Sequence, residues 1–278
     1  MNFTFQSYST LLTLLNEEGY KIIDYSDGEK YEKCAILRHD VDFDVSQALL
    51  MAQAEYRQGI RSTFFVLVTS NLYNIHSFAS RKAIKQIQDM GHTIGLHFDE
   101  VVYPEDIGKV DRIREKIKQE LDILSEVLST NIGVYSYHRP SKAILDFDIQ
   151  IGGAINSYGE LFFKKFKYLS DSRMHWREPV LDIICKRQYP RMQILTHPFW
   201  YHDKEKSMEL ILHDFIKKAG IQRYDDLSDN FTDLDGVIDR GGMDRVSCNS
   251  PTTLLSMAGV SGKDGQCGRI YFYGYRTA

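Results

Sequence analysis

The stretch that decides the fold is Cys34–Asp44, CAILRHDVDFD. A short apolar run, Cys34–Leu37, feeds directly into Arg38, His39, Asp40 and Asp42. Apolar runs of this length read as strands buried on both faces. Ionisable groups at the end of such a strand are costly unless paired or bound to a cation. In an extended segment successive side chains alternate, so Asp40 and Asp42 face one way and Val41 turns into the core. Two carboxylates side by side share a proton or hold a cation. DxD alone also fits a strand-end turn with solvated acids.

Working outward, the same pattern repeats. Helical spacing is predicted over residues 7–18, 43–58, 83–90, 107–128 and 205–219, and several of these segments stop at a glycine (Gly59, Gly91, Gly220). Between them, STFFVLV (Ser62–Val68), HTIGLHF (His92–Phe98), IGVYSYH (Ile132–His138) and MQILTH (Met192–His197) read as strands. Strands alternating with helical crossovers predict a parallel α/β architecture, barrel or open sheet. Both place function at the carboxyl ends of the strands. The polar clusters fall at those ends: Asp40 and Asp42, His97 and Asp99, His138 and Arg139, and His197.

A chain of 278 residues holds one large domain or two smaller ones. The formal charge of −4 excludes a strongly basic surface, so nucleic acid and anionic membrane are not expected partners. Oligomeric state is not legible. The N-terminal MNFTFQSYSTLLTLL lacks a basic leader and a small-residue cleavage site, and no apolar run is long enough for a membrane span. Cys34, Cys185, Cys248 and Cys267 are scattered without CxxC pairing. A cytoplasmic location is the expectation. Residues 221–278 hold 8 of the 19 glycines and no clear helical period, and are expected to form an irregular C-terminal extension to a domain spanning 1–220.

Each ionisable residue has a bland and a functional reading. His97, after the apolar TIGL and before Phe98–Asp99, reads as a metal ligand whose ring Asp99 orients, or as a hydrogen-bonded core histidine. Arg139 can clamp a carboxylate bidentately or make a surface ion pair. His197, fixed by Pro198, can act as a general acid near neutral pH. Phe98, Tyr137, Phe199, Trp200 and Tyr201 suit sugar stacking, or simple packing.

Taken in order, LRHDVDF, GHTIGLHFD, YHRPS, SDSRMHW and LTHPFW resemble the five motif regions of the polysaccharide deacetylases, carbohydrate esterase family four or NodB-homology proteins. The resemblance covers about residues 1–220 and is nearest to a branch found in surface-polysaccharide gene clusters. It implies a distorted (β/α) barrel of the NodB-homology type. It also implies a metal-dependent hydrolase that removes N-acetyl groups from an amino sugar of a surface polysaccharide or its precursor. Residue by residue, it implies Asp40 as catalytic base, Asp42 and His97 as metal ligands, Arg139 as the residue positioning the base, Asp171 with Trp176 from the fourth motif, and His197 as general acid. One departure stands out: the family's second metal histidine falls here on Val101. His138 is the replacement expected, with Asp99 the alternative. Histidine and carboxylate donors at an open site suit Zn²⁺ best among divalent metals. Two rivals remain: a non-catalytic sugar-binding or assembly protein on the same fold, and a DxD metal-dependent glycosyltransferase.

Overall fold

The computed structural model describes residues 1–240. The strands are β1 (Lys21–Ile23), β2 (Cys34–Val41), β3 (Thr63–Val66), β4 (Thr93–Phe98), β5 (Val134–Tyr137), β6 (Ile155–Asn156), β7 (Lys167–Ser170) and β8 (Arg191–Thr196). The helices are α1 (Phe5–Glu17), α2 (Val45–Tyr56), α3 (Phe78–Asp89), α4 (Val110–Leu128), α5 (Lys142–Leu145), α6 (Glu160–Lys165), α7 (Val180–Cys185) and α8 (Met208–Ser228). The chain divides into a unit of residues 1–212 and a second of residues 213–278. The predicted strand character of RIYFYGY in the C-terminal extension lies outside the described residues.

Every strand pairing in the sheet is parallel, in the order β6-β5-β4-β3-β2-β8-β7. β2 is the hub. One edge pairs with β8; the other pairs first with β1, over Cys34–Ile36, and then with β3, over Arg38–Val41. Among the described residues no pairing joins β6 to β7, so the sheet curls into an incomplete barrel. This is the distorted (β/α) barrel expected. All eight residues of β2 are buried, as the apolar run into the charged cluster required.

Alternation sorts each strand into an inner and an outer face. The inner face carries Arg38 and Asp40 of β2, Phe65 of β3, His97 of β4 and Ser136 of β5. Below them, Ile23, Tyr25, Cys34, Ile36, Phe65, Val134, Phe162 and Phe166 fill the barrel floor as one apolar cluster. Each such side chain contributes roughly 1.5–3 kcal/mol by burial. Gly95 of β4 also faces in: a Cβ there would meet the Phe65 ring at 2.5 Å, so only glycine lets that ring lie flat against the strand.

The outer face of β2 meets the helices through His39. Its Nε2 lies 3.0 Å from Glu55 Oε1 on α2, and its Nδ1 lies 2.7 Å from Thr196 Oγ1 on β8. Glu55 also accepts from Tyr8 of α1 at 2.6 Å and from Ser62 at 2.5 Å, and His92 sits 3.6 Å away. A buried carboxylate thus joins α1, α2, β2 and the residues that lead into β3 and β4. Burial alone would raise the Glu55 pKa, but the charge and hydrogen bond of His39, then His92 and Ser62, hold it below the usual carboxylate value. Burial lowers the His92 pKa.

Both shifts make the folded chain bind fewer protons than the unfolded one. Their contribution is therefore present above about pH 6.5 and is lost as pH falls through the histidine range and then below the free glutamate value of about 4.3. Urea midpoints should drop between about pH 7 and pH 4. Glu55→Gln should cost about 1–3 kcal/mol at pH 7 by leaving its partners ill-matched, and should flatten the acid end of the profile. An unchanged acid limb in that variant would refute the assignment.

Candidate metal and catalytic centre

The centre is built from the strand ends. On β2, Arg38 is fully buried and grips Asp40 two residues on: Nε donates to Oδ1 at 2.8 Å and Nη2 to Oδ2 at 2.9 Å. The guanidinium lies over the rings of Phe65 and Tyr158, at 5.0 and 4.9 Å from their centroids. Burial would raise the Asp40 pKa, but the Arg38 charge, with His97 and the bidentate hydrogen bonds, holds it below the usual value. Asp40 is therefore an anion kept in low dielectric chiefly by Arg38, with His97 Nε2 3.4 Å from its Oδ2.

Asp42, just beyond β2, has different company. Its Oδ1 is buried and makes no hydrogen bond. His97 Nε2 and His138 Nδ1 each stand 3.3 Å from it, and those two nitrogens are 3.2 Å apart. Three donor atoms with edges of 3.2–3.3 Å fit a tetrahedral ion, whose edges are about 3.3–3.4 Å for bonds of roughly 2.0–2.1 Å. The orphaned oxygen and the imidazole lone pairs aimed beside it fit a bound cation. Asp42, His97 and His138 thus form a group that can hold a divalent metal. Burial would raise the Asp42 pKa, but its histidine neighbours pull it well below the usual range, so it is ready to ligate. His97 is oriented from behind: its Nδ1 meets Ser136 Oγ at 2.8 Å, across a register pair of β4 and β5. Arg38 Nη2 donates to the same oxygen at 2.7 Å, so base and ligand share one hydrogen-bonded chain.

His197 follows β8. Its Nδ1 lies 2.6 Å from Asp171 Oδ1, its backbone N–H donates to the same carboxylate at 3.0 Å, and Tyr201 donates to Oδ2 at 2.9 Å. Asp171 directly follows β7 and is fully buried. This leaves His197 Nε2 facing the centre, 3.7 Å from Asp42 Oδ2. Burial pulls the His197 pKa down, but the Asp171 hydrogen bond and charge, with Asp42 and Asp40, push it up to about 9. Trp176 lies beside the Tyr201 hydroxyl.

Two sequence expectations need correcting in geometry. Arg139 does not reach Asp40. It lies largely exposed and donates to Asp99 Oδ2 at 2.8 Å, while the arginine on Asp40 is Arg38. Arg38 stood in plain view two residues before Asp40, and the i, i+2 alternation could have found it. Asp99, the alternative third ligand, is committed to Arg139 and to the Val101 N–H. Val101 points to solvent. Of the aromatics, Tyr137 and Trp200 line the cleft, whereas Phe98, Phe199 and Tyr201 pack into the body; Phe43, Tyr158 and Tyr168 line it too. The cleft holds about 710 Å³, within the range of small-ligand sites.

Arg38→Met should destabilise the fold by about 3–5 kcal/mol, because it strands a buried carboxylate. Arg139→Ala should cost under about 1 kcal/mol, being a largely exposed pair. Urea unfolding of the two variants decides; equal losses would show that Arg38 is not the anchor of Asp40.

No protein-family model matches the chain, and a comparison with the curated proteins finds no match. Solved structures do. A carbohydrate esterase family four pseudoenzyme from Bacillus anthracis is 17% identical, with a TM-score of 0.38 over 69% of this chain and 62% of its own length. The catalytic domain of a peptidoglycan N-acetylglucosamine deacetylase from Eubacterium rectale is 14% identical, with a TM-score of 0.41 over 68% of this chain and 84% of that one. A polysaccharide deacetylase from Bacillus cereus is 13% identical, with a TM-score of 0.39 over 64% and 93%. The chain thus spans less than two thirds of the length of the pseudoenzyme, and it is similar in structure to proteins of carbohydrate esterase family four.

Proposed function

We propose that the chain is a metal-dependent hydrolase that removes an N-acetyl group from an amino sugar of a surface polysaccharide or its precursor. The observation that carries this is the division of labour in one cleft: a carboxylate fixed by Arg38, a three-donor cation group, and an imidazole backed by a buried aspartate. Amide hydrolysis needs a base for water, a Lewis acid for the carbonyl and an acid for the amine.

In this reading Asp42, His97 and His138 would hold the ion, with Zn²⁺ the best match to one carboxylate and two imidazoles. When bound, the metal supplies positive charge at the carbonyl oxygen and acidifies water. Asp40 takes the proton of the attacking water. Its pairing with Arg38 keeps it ionised and fixes both oxygens. His197 Nε2 delivers a proton to the leaving amine as the C–N bond breaks, and acetate departs. Asp171 holds the His197 tautomer and supports its positive charge, as in other acid–base pairs. Arg139 serves at the cleft wall through Asp99 rather than at the base. Residues 1–220 carry this chemistry; residues 221–278 are an extension to it. A cytoplasmic site of action would suit a soluble precursor as substrate. Among the described residues no helix is long and apolar enough to cross a membrane.

Metal content and turnover test separate parts. Asp42→Ala and His138→Ala should each lower bound zinc sharply by elemental analysis, while Asp99→Ala leaves it nearly unchanged. Equal zinc in parent and Asp42→Ala would sink the metal site.

Asp40→Asn should keep its zinc and lose acetate release by roughly 10²–10⁴-fold. Loss of the metal instead would mean that the two acids exchange roles. Binding of N-acetylated sugar by the zinc-loaded parent without any acetate release would replace the enzyme reading by a sugar-binding one.

A further inference from the structure

We infer that the substrate carries an anionic group, phosphate or carboxylate, on the sugar side of its acetamido linkage, and that Arg173 and Arg177 bind it. This rests on the deacetylase reading above. The cleft's other charges are accounted for: Asp40 belongs to Arg38, Asp99 to Arg139, and Asp42 to the histidine group. Arg173 and Arg177 also line the cleft, are exposed, and among the described residues have no acidic partner. Unpaired arginines on an open surface are ordinary. Two of them facing one ligand cleft leave a surplus of positive charge that a neutral glycan does not use. Guanidinium forks match phosphate and carboxylate geometry.

The backbone supplies a second observation. Arg173 (φ 57°) and Met174 (φ 54°) are consecutive non-glycine residues in the left-handed region. Glycine would adopt this turn without strain, and a side chain there costs free energy. The strained turn begins two residues after Asp171, whose carboxylate holds His197 and whose carbonyl accepts from the His175 N–H. The segment that fixes the proposed acid thus also sets Arg173 in the cleft. An acid that protonates the leaving amine stands on the sugar side of the scissile bond, so the arginines beside it face the sugar or its neighbour, not the acetyl group. A sugar phosphate, a nucleotide-linked sugar or an adjoining uronic acid each meets that chemistry.

The test compares zinc-loaded parent protein with the Arg173→Gln/Arg177→Gln double variant. Acetate release is measured from N-acetylglucosamine 1-phosphate, from a disaccharide of N-acetylglucosamine and glucuronic acid, and from neutral N,N′-diacetylchitobiose. Binding of glucosamine 1-phosphate and of glucosamine is measured by calorimetry. One charged substrate should exceed the neutral one by roughly 10–100-fold in kcat/KM, as expected of charge-assisted hydrogen bonds, and the preference should collapse in the double variant. Which charged compound wins identifies phosphate or carboxylate. Equal binding and turnover of charged and neutral compounds by the parent overturns the inference, as does a preference that survives in the double variant. Charge-selective binding lost in the double variant, with no acetate from any substrate, supports the anion site and sinks the deacetylase reading instead.

Discussion

The bidentate pair of Arg38 and Asp40 is the constraint on which the centre depends. A buried ion pair seldom adds much net stability, because desolvation offsets its attraction. Its value is in what it forbids. With both carboxylate oxygens held and the guanidinium clamped between Phe65 and Tyr158, Asp40 has one orientation and one charge state. The spare hydrogen-bonding capacity of Arg38 reaches Ser136 and through it His97. A single side chain thereby sets the position of the proposed base and of one donor in the cation group. Phe65 in turn lies where it does because β4 offers Gly95 opposite it.

The contrast between Asp40 and Asp42 follows from the same constraint. Two aspartates two positions apart on one face begin chemically equal. Arg38 satisfies the first; the second keeps an oxygen without a hydrogen bond, between two imidazoles. Environment, rather than residue type, separates a fixed anion from a vacant donor. The third donor, His138, stands at the end of β5. Strict alternation would turn His138 and Arg139 to opposite sides, and the chain meets this by placing Arg139 at φ 49°. His138 remains tied to the sheet by its N–H to Phe98 carbonyl bond, and Arg139 swings out to Asp99.

This explains what could be read in advance. Long apolar or strictly periodic segments such as FFV, TIGLHF and the charged helix before Leu128 declared themselves, since burial and period leave few alternatives. β1, β6 and β7 did not. Strands of two to four residues such as KYLS carry too little pattern, and their pairing depends on neighbours distant in the chain. Strand-end positions of Asp42, His97, His138 and His197 were legible for the reason that the fold was: a parallel sheet delivers its ends to one side. The partner of Asp40 is harder to read, because Arg139 fits a motif while Arg38 emerges only on asking which side chain shares the face of Asp40. The φ of Arg139 has no signal in the residue itself.

One feature of the far wall follows from the openness of the barrel. Among the described residues no strand ladder joins β6 to β7, and Tyr158 and Tyr168, 6.4 Å apart by ring centroids, face each other across that gap. Tyr158 is at once the lid of the Arg38 guanidinium and a wall of the cleft. On its other edge β7 pairs with β8, and the Asp171 N–H continues that ladder to the Leu195 carbonyl at 3.3 Å before the chain turns through the left-handed Arg173–Met174 pair. The β7–β8 pairing brings Asp171 beside His197, and the turn that follows carries Arg173 and Arg177 to the cleft, so the register of those two strands sets both the backing of the proposed acid and the charge of the cleft wall.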